Sequence, residues 1–171
     1  MIDTSLQTQL IPSIERMVLG QERKDWDVRL YLGLDHEDEF WIKNRESFEH
    51  PLLLTINCGF YKVPEHKVTF NKIMKHAYDD IAENMLMINN DTEFVTKVWI
   101  TMGVEALRGF EPPNVGVVGP MYRQGNTSIM MHDMVHLIHL DLFEHYYPTV
   151  FFAWCINIVS PRCTSQYGVF S

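Results

Sequence analysis

With 171 residues, 46% of them hydrophobic and 21% charged, the chain has the length and composition of one soluble domain with a sizeable core. Its net charge of −8 argues against non-specific binding to a nucleic-acid backbone, which needs clustered Lys and Arg. The three cysteines, Cys58, Cys155 and Cys163, have no CxxC spacing and form no disulfide framework, no apolar run reaches membrane-spanning length, and residues 1–20 lack the features of a signal peptide, so a cytoplasmic protein without a membrane span is expected.

Taken in order, residues 4–19 read as a helix, with Leu6, Leu10, Ile14, Met17 and Val18 on one face. Pro12 interrupts that pattern and predicts a kink or a later start near Ser13. Val28 to Gly33 reads as a strand running into the acidic stretch Asp35 to Glu39. Phe40 to Phe48 predicts a short helix closed by Pro51, and Leu52 to Ile56 a second strand. Phe70, Ile73, Met74, Ala77, Tyr78 and Ile81 follow helical spacing across residues 67–83. The apolar run Met85 to Ile88 predicts a buried strand, Lys97 to Arg108 a helix stopped by Pro112-Pro113, and Asn114 to Pro120 another strand. Strand and helix therefore alternate over residues 27–119, which predicts a mostly parallel sheet with helices on its faces. Residues 120–171 form the second half of the same single domain.

Two stretches carry candidate chemistry. If the chain stays extended past Ile88, alternation puts Asn89, Asp91 and Glu93 on one side, offering hard oxygen ligands suited to Mn²⁺ or Mg²⁺. The plainer alternative is a strand followed by a solvated turn, since Asn and Asp are common turn formers. Further on, His132-Asp133-Met134-Val135-His136 is one substitution from the zinc motif H-E-x-x-H and sits in an apolar stretch that predicts a helix running to Phe143, with His139 one turn beyond His136. Asp is a methylene shorter than the Glu that serves as base in that motif, so a zinc hydrolase through His132 and His136 is a minor alternative to hydrogen-bonded core histidines.

The series Arg29 to Gly33, Ala77-Tyr78-Asp79-Asp80, Ile88 to Val95, Asn114 to Pro120, His136-xx-His139-x-Asp141-x-Phe143 and Tyr146-Tyr147-Pro148-x-Val150-Phe151 resembles GT-A-type glycosyltransferases, in particular glycosyltransferase-like proteins of algae, protists and large DNA viruses. The resemblance spans about residue 10 to Gly168. It implies an α/β, Rossmann-like GT-A fold lacking its first strand, and a DxD-like motif at Asn89, Asn90 and Asp91. Asp91 would be the main ligand of Mn²⁺ or Mg²⁺, assisted by Asn89 and Glu93. The implied donor is a nucleoside-diphosphate sugar, and the acceptor an unknown glycan or protein. Asp133 and Asp141 would be the catalytic candidates, with His136, His139, Trp154 and Asn157 on the acceptor side. The family has paired acids where this chain has Asn90-Asp91, and again shortly after the Trp, where this chain has Cys155-Ile156-Asn157-Ile158. Asn157 cannot take a proton at neutral pH, so the resemblance also admits a catalytically degenerate binding module.

Overall fold

The computed structural model describes residues 5–18, 22–35, 39, 43, 54–61, 70–89, 91–121, 130, 132–148 and 167–170. The chain opens with a π-helical segment, Leu6–Leu10, that runs directly into α1, Ile11–Met17. Pro12 sits at the junction of the two, where its missing N–H cannot extend the i→i−5 bonding that ends with the Ile11 N–H on the Leu6 carbonyl. Leu6, Leu10, Ile11 and Ile14 form the buried face. A single turn, α2 (Glu22–Asp25), then leads into β1, Val28–Asp35.

β1 pairs in parallel with β2, Leu54–Tyr61, from Val28↔Leu54 to Asp35↔Tyr61. Helix α3, Phe70–Asp79, follows and buries Met74 and Ala77. Next come β3 (Asn84–Met87), α4 (Trp99–Arg108), β4 (Val117–Pro120), β5 (Asp133–His136), the short α5 (Ile138–Phe143) and β6 (Tyr167–Phe170). These last four strands make a second sheet in the order β3-β5-β4-β6.

The expected mostly parallel, Rossmann-like GT-A sheet is corrected here. The three strands β3, β5 and β4 pair antiparallel throughout, and β6 joins the edge of β4 in parallel. The cause is β5. The stretch from His132 reads as a helix by composition, but Asp133–His136 is a strand lying between β3 and β4 and running against both. All four of its residues are buried, so neither face shows the alternation that marks a half-exposed strand. Its Met134 and Val135 then merge in sequence with Leu137, Ile138 and Leu140 of the following helix into one apolar run.

The core has two parts, set by the pleat. Val118 and Met134 pack with Leu10, Ile14, Trp99, Val104 and Leu107, from the N-terminal helices and α4. The neighbouring residues Val117 and Val135 turn the other way and pack with Met74, Ala77, Met85, Met87 and Leu140. Successive side chains on a strand point to opposite faces, so helices cover the sheet on both sides. Leu107, Val117 and Val118 are fully buried, and each such side chain contributes roughly 1.5–3 kcal/mol. The helix expected over Phe40–Phe48 falls mostly outside the described residues.

Candidate functional site

The acidic stretch after β3 does not stay extended. β3 ends at Met87, and the Thr92 N–H donates to the Asn89 carbonyl at 3.2 Å, closing a turn. Glu93 leaves that turn to pair with Arg16 at 2.8 Å, with both side chains more than half exposed. Asp91 is exposed, and Asn90 lies outside the described residues. The turn is instead held by a histidine. The Asn89 N–H reaches His132 Nε2 at 3.4 Å, and Thr92 Oγ1 lies 3.2 Å from the same nitrogen. Burial pushes the His132 pKa down, with Asp91 pulling partly back. A neutral imidazole accepting at Nε2 fits that environment.

The helical pairing of His132 and His136 is overturned by β5. His132 precedes the strand and His136 ends it, and four residues of strand span about 13 Å, too far for two imidazoles to share one zinc. His136 Nδ1 accepts the Ile138 N–H at 3.2 Å, while its Nε2 lies 3.9 Å from Glu83. His139 Nε2 lies 3.0 Å from the Tyr146 carbonyl, and its ring packs against Phe143. Burial is the leading cause of a lowered pKa at both.

Asp133 and Asp141 are each bound to a tyrosine, in very different settings. Asp133 is buried and accepts the Tyr147 hydroxyl at 2.5 Å, while its backbone carbonyl accepts the Tyr146 hydroxyl at 2.8 Å. Asn71 on α3 holds the Tyr147 backbone at both ends, donating to its carbonyl at 2.8 Å and accepting its N–H at 2.7 Å. Burial, then Asp133, raises the Tyr146 phenol well above its ordinary range. Asp141 is exposed and accepts the Tyr78 hydroxyl at 2.5 Å, the main cause of a raised Tyr78 pKa. Trp154 and Asn157 lie outside the described residues. Among the described residues no group of three or more His, Cys, Asp or Glu side chains could hold a metal ion. With antiparallel central strands and no such cluster, metal-dependent transfer from a nucleotide sugar on a GT-A scaffold is corrected, and so is the degenerate version of it. No helix among the described residues is long and apolar enough to cross a membrane.

A further concavity lies elsewhere. A cavity of about 690 Å³ is bordered by Val28 through Gly33 of β1 and by Asn84 through Met87 of β3. Successive strand residues point to opposite faces, so a space that touches all of them in sequence touches the strand's edge. Among the described residues both strands are terminal in their sheets: β1 pairs with β2 on one side, and β3 with β5. The slot therefore opens between two sheet edges. Phe70, Ile73, Met74 and Ala77 of α3 close it on one face, and Leu10, Ile14, Trp99 and Val104 on the other. Its exposed rim carries Asp25, Asp27, Asp80 and Glu83, with Arg29 paired to Asp27 at 2.9 Å.

Ile81 stands on that rim, and nothing in the sequence marks it out beyond its place at the end of the apolar stripe of residues 67–83. The Ile81 N–H donates to the Tyr78 carbonyl at 2.9 Å, and the Ala82 N–H to the Ala77 carbonyl at 3.0 Å. These two bonds make the helix-ending motif whose left-handed position favours Gly, yet Ile81 occupies it with φ 61° and is 84% exposed. No protein-family model matches this chain, and neither a curated protein nor a solved structure matches it.

Proposed function

We propose that this chain is a ligand-binding module whose guest occupies the slot between β1 and β3. The observation that carries the reading is that both sheets end on the same apolar cavity of about 690 Å³, within the 300–1,000 Å³ range of binding pockets. A cavity forfeits dispersion contacts along its apolar lining. An apolar guest restores those contacts and gains the burial of its own surface. The binding chemistry is shape and apolar area, with orientation set by the charged rim.

Ala77 is buried on α3 and lines the slot, so Ala77→Phe places a ring in the guest's space. The parent protein is expected to bind the uncharged dye Nile red saturably, and the folded Ala77→Phe variant to bind it roughly tenfold more weakly, a loss of ~1.4 kcal/mol. The measurement is dye fluorescence titration, with circular dichroism as the check on folding. Dye binding that is absent in the parent, or equal in parent and variant, overturns the reading.

A further inference from the structure

We propose that the guest is an extended segment of another polypeptide, continuously apolar at its centre and basic at its ends, which enters the slot as a strand and joins the two sheets. The proposal rests on the slot being the ligand site.

Four observations point to a strand rather than to a lipid or an aromatic small molecule. First, the slot is walled on two sides by strands that are edges among the described residues, and an edge presents a row of backbone N–H and C=O groups. Only an extended backbone offers matching rows on both of its own edges, which is the physics of strand addition. Second, apolar side chains of α3 close one face of the slot, and the N-terminal helices with α4 close the other. A strand buried on both faces reads as a run of Val, Ile and Leu rather than as an alternating one. The bordering stretch Val28–Gly33 sets the length, since six residues of strand cover about 20 Å. Third, two side-chain atoms on lining residues, Asn84 Oδ1 and Trp99 Nε1, are buried with no hydrogen-bond partner among the described residues. One is an acceptor and the other a donor, a pair that a hydrocarbon guest cannot satisfy and a peptide group can.

The fourth observation concerns the rim. Glu83 is paired with Arg108 at 3.7 Å, but Asp25, Asp27 and Asp80 still outweigh Arg29, so the ends of the guest meet negative charge and Lys or Arg there is favoured. Ile81 adds an apolar contact at the same place. Its left-handed backbone is strained for a β-branched residue, and the turn it closes would be better served by Gly. A strained, exposed isoleucine on the rim of an apolar slot gains burial when a partner covers it.

The probe is the synthetic peptide KKVIVLVKK, titrated against the full chain, with amide hydrogen exchange as the structural readout. Saturable binding is expected, with exchange slowed about tenfold or more at both Val28–Asp35 and Asn84–Met87. A peptide N-methylated at alternate residues keeps the apolar surface but loses the N–H groups of one edge, and is expected to bind at least about tenfold more weakly. EEVIVLVEE is expected to bind more weakly than the lysine form, the difference shrinking in high salt. Ile81→Gly is expected to weaken peptide binding while leaving the fold intact. Equal binding of the N-methylated peptide, or protection confined to one of the two strands, overturns the proposal. Nile red binding that dodecanoate displaces and the peptide does not also overturns it, while leaving the slot as a ligand site. Failure of both dye and peptide overturns both readings.

Discussion

Ile81 shows how a single side chain can work against its own backbone. A left-handed conformation costs a residue with a Cβ about 1–2 kcal/mol, and more when the side chain is β-branched. At 84% exposure Ile81 recovers little of this by burial. Ile81→Gly removes the clash at the cost of greater freedom in the unfolded chain, so a net gain of about 1 kcal/mol is expected. Urea denaturation measures it through the midpoint at constant slope. A variant less stable than the parent would mean that Ile81 packs against something that the left-handed turn only serves to present.

At the scale of elements, the join between α3, β5 and the Tyr146-Tyr147 segment is a hydrogen-bonded clamp. Asp133 on β5 takes the Tyr147 hydroxyl, its carbonyl takes that of Tyr146, and Asn71 on α3 holds the Tyr147 backbone. The Tyr146 and Tyr147 rings meet edge to face at 4.8 Å, and both residues are buried. Removing the donor to a buried carboxylate costs more than breaking a neutral pair, because the charge stays behind. Tyr147→Phe is therefore expected to destabilise the protein by about 1.5–3 kcal/mol. If thermal and urea unfolding of this variant match the parent, Asp133 is not held by this bond, and its place as a structural carboxylate falls.

Across the whole molecule, three histidines share one direction of pKa displacement. His132, His136 and His139 are all lowered, in each case with burial as the leading cause. A histidine lowered by folding binds fewer protons in the native state than in the unfolded state between its two pKa values. Its contribution is fully present above the unfolded value of about 6.5 and is lost as pH falls from there through the folded value. Stability should decline as pH drops from 7 towards 5, and a His132→Gln variant should show a shallower decline. Denaturant midpoints at several pH values test this. A parent protein whose stability is flat over that window would show that these rings are already solvated or compensated in the native state.

Hydrophobic periodicity located most elements without any structure. The stripe over 67–83 becomes α3 at Phe70–Asp79, Lys97 to Arg108 becomes α4 at Trp99–Arg108, and Met85 to Ile88 becomes β3 at Asn84–Met87. These elements each bury one stripe or a short run, so their pattern is a local property of the chain. β5 was not legible, because its Met134 and Val135 run without a turn signal into the apolar residues of α5, and its direction is fixed only by which neighbours it lies between. The Asn89 to Glu93 stretch was ambiguous for a related reason. Whether its oxygens converge depends on a turn bonded to His132, more than forty residues away, and on Arg16 reaching Glu93 from α1. The Tyr146-Tyr147 pair was visible as two adjacent aromatics, but its clamp on Asp133 and Asn71 was not. The slot between β1 and β3 left no trace in the sequence at all. A slot between two strands is a property of how sheets come to rest against shared helices, and no single segment of the chain encodes it.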